Sequence, residues 1–398
     1  MRLKRFLTVL LAAFVALVVV QAAVAAWSMS SSGNGNAKAL SMPAGSAPTK
    51  AVTNPNIALS WSAVTVGGSA VDSYTVRRYT EAGVLQTITA GCSGAIAATT
   101  CTESSVPVGR WQYTTQPVKA GWTGAESAKS ATAEIAAAPT AVACTNCTTL
   151  GATKYINNAG KASVNVQVTV AASSLSTDTV HLTLMDSAST TVTATTQAAP
   201  AGSGTVTFTG INTSTLVDGN VTTTAWVTTN TSDASPNTTT TLVRDIVVPT
   251  AVDIYGTNGG GTAKKIDTAG GDTLVYTFSE PMDPASIQAG WSGASTTVNP
   301  SIVGGDTITA AAALGSVSTG TAGYVQSGFT VTCSATTMVM SGSTITLNLN
   351  NCLPTARLKI GTATETFVWM PSASATDQAG NPMSTTLRNE VGGPKANF

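Results

Sequence analysis

The sequence predicts an all-β protein in which several sandwich domains follow one another behind an N-terminal export segment. Three observations carry that expectation. Only 10% of the 398 residues are charged while 43% are hydrophobic, against about 25% charged in ordinary soluble chains, so packed strands with threonine on their wet faces fit better than a solvated coil. Short β-rich runs recur between Gly-containing turns with no helical period. The length, at ~100 to 200 residues per domain, suggests two to four domains, each able to bury its own core.

Taken in order, residues 1–26 read as a signal peptide. Arg2, Lys4 and Arg5 precede an apolar run from Phe6 to Val20, and Ala23, Ala25 and Ala26 offer a cleavage site before Trp27. The rival reading is an uncleaved anchor, because Phe6 to Ala26 is long enough to span a bilayer. Residues 27–46 have the Gly, Ser and Asn content of a flexible linker. From there IALSWSA, SAVDSYTVRRYT, GVLQTITA and GRWQYTTQPVKA are strands, with Trp61 and Trp111 as core fillers. In SYTVRRY the alternation predicts Tyr74, Val76 and Tyr79 on one face against Thr75 and Arg77, with a register change near Arg78. ASVNVQVTV, VHLTLMD, GTVTFTG and NVTTTAWVTT form a second strand-rich segment beyond the Ala/Pro boundary AEIAAAPTAVA, and a third runs from residue 250 to 398.

These phrases resemble known families. IALSWSA, DSYTVRRY and GRWQYTTQPVKAGWTGAES make residues 47–137 similar to a fibronectin type III domain. The close of the second segment, LVDGNVTTTAWVTT through Asp245 and Pro249, resembles bacterial immunoglobulin-like repeats over residues 138–249, although TSDASPN replaces their usual turn. DTLVYTFSEPMDPASI and SATDQAGNPMS make residues 250–398 resemble the immunoglobulin-like domains of surface-layer and adhesin proteins, with an insertion between Ser292 and Ser343. The resemblance implies tandem immunoglobulin-like and fibronectin type III-like β-sandwiches, and it brings no catalytic residues with it.

Six cysteines allow fifteen pairings. Two in each segment select the local ones: Cys92 with Cys101, Cys144 with Cys147 and Cys333 with Cys352. Export makes them disulfides. Cys144-Thr-Asn-Cys147 has redox spacing, yet it lacks the strand-to-helix context that lowers a thiol pKa. A zinc half-site would need further ligands, and the chain has one histidine.

Other motifs carry less chemistry. His181 is expected to be an ordinary strand residue rather than a catalytic one. NGGGTAKK at 258–265 has no Gly before Lys264 and reads as a turn, and LPTAR at 353–357 lacks the threonine-glycine pair of a sorting signal. Glu280, Asp283 and Asp377 are the acidic residues that the opening and closing phrases of the third domain bring together, a set of oxygen ligands suited to Ca²⁺. The competing reading has Asp283 capping a turn before Pro284 and Asp377 shaping the QAGN loop.

Without the three leader cations the chain keeps 16 Lys and Arg against 19 Asp and Glu, a charge of about −3. No basic patch is present, so nucleic acid is excluded as a partner, and a membrane would be met only through an uncleaved signal. The expectation is a non-enzymatic structural or adhesive protein, exported or held at the cell surface, that meets an envelope or extracellular component, glycan or protein. The alternative is a carbohydrate-binding protein using exposed aromatics such as Trp122 and Trp291.

Overall fold

The computed structural model describes residues 40–230, 233–304, 307–362, 365–392 and 398. The signal segment and the first part of the linker therefore lie outside the described residues. The regular elements of the described residues are nearly all strands, and the buried apolar residues gather into three cores, drawn from residues 57–135, 142–242 and 254–398. Each core is closed between two main sheets. Among the described residues no helix is long and apolar enough to cross a membrane.

In the first sandwich a three-stranded sheet, Thr49–Thr53, Asn56–Ser60 and Thr100–Glu103, faces a larger one built on Ser73–Thr80 and Gly109–Lys119. Ile57, Leu59, Tyr74, Val76 and Tyr113 meet between them. The expected register change at Arg78 is absent: Ser73–Thr80 pairs residue for residue with Gly109–Lys119, so Arg78 faces the core and Tyr79 faces out. A buried charge needs a partner, and Arg78 Nη1 meets Glu103 Oε1 at 2.7 Å while Nη2 reaches Thr87 O at 2.7 Å. Tyr113 Oη donates to Glu103 Oε2 at 2.7 Å, and the guanidinium lies 4.6 Å from the Trp111 ring.

The second sandwich sets Ala141–Cys144, Val164–Val170 and Gly204–Ile211 against a larger sheet. That sheet runs Thr148–Leu150, Thr153–Ile156, Thr238–Arg244, Gly219–Thr228, Thr179–Asp186 and Thr191–Thr193. Strict alternation sends Val180, Leu182, Leu184, Val221, Ala225 and Val227 inward, each larger side chain contributing ~1.5–3 kcal/mol by burial. Threonine takes most of the outward positions.

In the third sandwich Ala251–Thr257, Thr273–Phe278, Thr344–Asn348, Thr336–Ser341 and Thr296–Val298 form one sheet. The long middle stretch supplies Ser301–Val303, Thr307–Thr309, Ser316–Ser318 and Thr330–Cys333 to the other, so it adds strands rather than an irregular loop. Trp369 anchors this core, edge-on to Tyr276 and Phe278 at 5.0 and 5.2 Å.

All three expected disulfides are present. Cys333 and Cys352 face each other directly in antiparallel register, and Cys92–Cys101 closes the loop before Thr100–Glu103. Cys144–Cys147 holds the point where the chain leaves the smaller sheet of the second sandwich for the larger.

Candidate functional site

The most concentrated polar chemistry lies where the second sandwich meets the third. After Arg244 ends the last strand of the second sandwich, Asp245 donates its backbone N–H to Ile156 O at 3.0 Å, and six residues later the next strand begins. The loop Asp377–Asn381 of the third sandwich folds back onto this crossing. Asn381 Nδ2 donates to Asp245 O at 2.9 Å, and Asn381 Oδ1 accepts from the backbone N–H of Asn158 at 2.7 Å. Gly380 sits so close to the second sandwich that an added Cβ would lie 3.2 Å from Thr148 Cγ2, and its φ of +84° already favours glycine.

The carboxylates converge at this place. Asp245, Glu280 and Asp377 bring ligand oxygens within 4.8 Å of one another. Asp377 is held by Asn381, which donates its backbone N–H to Oδ1 and its amide to Oδ2, both at 2.8 Å. Glu280 Oε1 is shielded from water with no hydrogen-bond partner. Burial, then the neighbouring charges of Asp245, Asp377 and Asp218, pushes the Glu280 carboxyl up to about 7. Asp245 is raised too, first by burial and then by Asp377 and Asp218, against a hydrogen bond from Val247 that lowers it. A proton or a cation would relieve the same repulsion.

Two of the three acidic residues singled out in the sequence thus belong to the cluster, and Asp283 does not. Its Oδ1 accepts from Ala285 N at 3.0 Å and caps the short helix Pro284–Ile287, which leaves it committed to backbone. Asp245 takes its place, supplied by the strand end of the preceding domain. Three carboxylates are a donor set of the hard, oxygen type that Ca²⁺ takes. Beside the cluster an open groove of about 780 Å³ runs between Leu150 of the second sandwich and Pro281–Ala285, Trp291 and Met340 of the third.

The aromatic pair named from the sequence does not form a platform. Trp122 is 66% exposed on the first sandwich, whereas Trp291 is 6% exposed, packs in the third core and donates Nε1–H to Ala294 O at 2.5 Å. His181 lies on a strand, as expected, its ring stacked on Trp226 at 5.0 Å and bonded to Thr228 Oγ1 at 2.7 Å. The 258–265 run is a turn in which Asn258 Oδ1 accepts from Gly260 and Gly261.

The first junction is also polar. Lys50 reaches Asp233 at 3.4 Å across it, and Asn54 Nδ2 donates to Ala136 O at 2.9 Å. Glu134 is buried near Asp178, and burial followed by that charge raises its pKa.

No known family matches the chain, and no curated protein does. Solved structures similar to it include the FN1-FN3 domains of chicken CNTN1, at 12% identity and a TM-score of 0.24, covering 88% of this chain and 98% of that one. A tetra-tandem repeat from the extending region of a large adhesion protein is 14% identical with a TM-score of 0.23, covering 87% and 74%. The fibronectin(III)-like modules of Clostridium thermocellum CbhA are 12% identical with a TM-score of 0.23, covering 52% and 95%.

Proposed function

We propose that this chain is an exported structural or adhesive protein whose tandem sandwiches set distance and orientation outside the cell, and that it is not an enzyme. The observation that supports this most is the build of the second junction. Two sandwiches with separate cores are tied by Asn381 to both Asp245 and Asn158 instead of hanging on a flexible spacer. Such construction transmits position and force along a chain. Three disulfides suit an oxidising compartment, and the leader that begins the sequence supplies the route there. Calcium, where used, would be held by Asp245, Glu280 and Asp377 and would stiffen the junction rather than activate water.

Fractionation of producing cells with N-terminal sequencing, paired with a broad hydrolase screen of the mature chain, tests the reading. A mature start near Trp27, protease accessibility on intact cells and no turnover are expected. A cytoplasmic protein beginning at Met1, or turnover abolished by one substitution, would contradict it.

A further inference from the structure

The outward side of the larger sheet in the second sandwich has a regularity that packing does not require. Thr193, Thr183, Thr224 and Thr239 stand directly opposite one another on four successive strands, forming one row across the sheet. Neighbouring strands are about 4.7–4.9 Å apart, so the row repeats a hydroxyl and a methyl at that interval. One step along the strands the next outward pair is His181 and Trp226, directly opposite each other with rings stacked within 5° of parallel. Thr228 Oγ1 at 2.7 Å from His181 Nε2 helps fix the pair.

We propose that this face binds a neutral polysaccharide, laid across the threonine row and packed against the Trp226 ring. The chemistry of the face selects the occupant. Over Thr179–Met185, Asn220–Thr228 and Thr239–Val243 the outward residues carry no Asp, Glu, Lys or Arg. Burial lowers the His181 pKa, which keeps that ring neutral near pH 7. Nucleic acids and anionic glycans need cations to replace their counterions, and none faces out here. A lipid surface would need a continuous apolar face, which the hydroxyls interrupt. Sugar chains instead present hydroxyls and C–H faces together, matching a surface that alternates threonine Oγ and methyl beside an aromatic wall. The indole supplies apolar area at little entropic cost because His181 already holds it.

The inference stands apart from the scaffold reading, since a spacer needs no ligand. The test is retention of the mature chain on insoluble cellulose, chitin and granular α-glucan, with immobilised hyaluronan as the anionic comparison. Retention on at least one neutral polymer and none on hyaluronan is expected. Trp226→Ala should weaken that retention at least tenfold, and Thr239→Glu, at an exposed position that leaves the core intact, should do the same. Trp122→Ala on the first sandwich should leave retention unchanged. Thermal melts of each variant separate lost binding from lost folding. Failure on all three neutral polymers overturns the inference, as does full retention by both Trp226→Ala and Thr239→Glu. Loss of retention in Trp122→Ala alone would place binding on the first sandwich and overturn it too.

Discussion

Glu103 shows how one side chain can decide a core. It is fully buried, and its two oxygens accept from Arg78, Thr89 and Tyr113, so every member of the group depends on it. Glu103→Ala should cost the first sandwich about 3–5 kcal/mol, because it leaves the Arg78 guanidinium buried without its carboxylate. Replacing both residues, Arg78→Met with Glu103→Leu, should be far milder in the same denaturant titration. The placement of Arg78 was hidden in the sequence because a strand pattern assigns a charge to the wet face. Its partner lies 25 residues away on the opposite sheet, where no local window reaches. Glu280 poses the converse case. Its folded pKa, up to about 7, exceeds the ordinary glutamate value, so its protonated form favours folding. That contribution is fully present below about 4.3 and is lost as pH rises through 7. Discounted for solvent screening, its loss is on the order of 1 kcal/mol, or ~2–4 °C. Without divalent cations the third sandwich should therefore melt higher at pH 5 than at pH 8. Glu280→Gln should flatten that difference; an unchanged pH profile would remove Glu280 from the argument.

At the scale of elements, the short helix Pro284–Ile287 separates the two readings of Asp283. As an N-cap, Asp283→Ala should destabilise the third sandwich by about 1 kcal/mol, and Asp283→Asn should restore most of it. Any calcium-induced rise in melting temperature should survive both changes, whereas loss of that rise would return Asp283 to the ligand set. The hairpin from Thr148 to Ile156 is a second telling element. It joins the larger sheet through a parallel pairing of only Tyr155 and Ile156 with Val243 and Arg244, and Cys144–Cys147 fastens its base. It also presents Thr148 to Gly380. Breaking the disulfide by Cys144→Ser with Cys147→Ser should speed hydrogen exchange across Thr148–Ile156 while the Val164–Val170 strand stays protected. The alternating strands and local cysteine pairs were legible because both depend on short-range spacing. The cluster was legible only in part, since Asp245 comes from the preceding domain and its linker phrase gave no sign of a carboxylate site.

For the molecule as a whole, the account depends on sandwiches that are separately packed yet held in fixed succession. The phrase SATDQAGNPMS pointed to its aspartate, but Asn381 makes the contacts that cross the junction, and their geometry exists only once both domains are folded. Asn381→Ala removes the donor to Asp245 O and the acceptor of the Asn158 N–H, two part-buried bonds, a loss of about 0.5–1.5 kcal/mol for each. The sandwiches have cores of their own, so that loss should fall on the junction and leave the folds intact. Small-angle X-ray scattering from the mature chain and from Asn381→Ala tests this most directly. The account predicts that one arrangement of the second and third sandwiches fits the native profile, and that the variant needs a broad ensemble of orientations. A native profile as broad as that of the variant would contradict it.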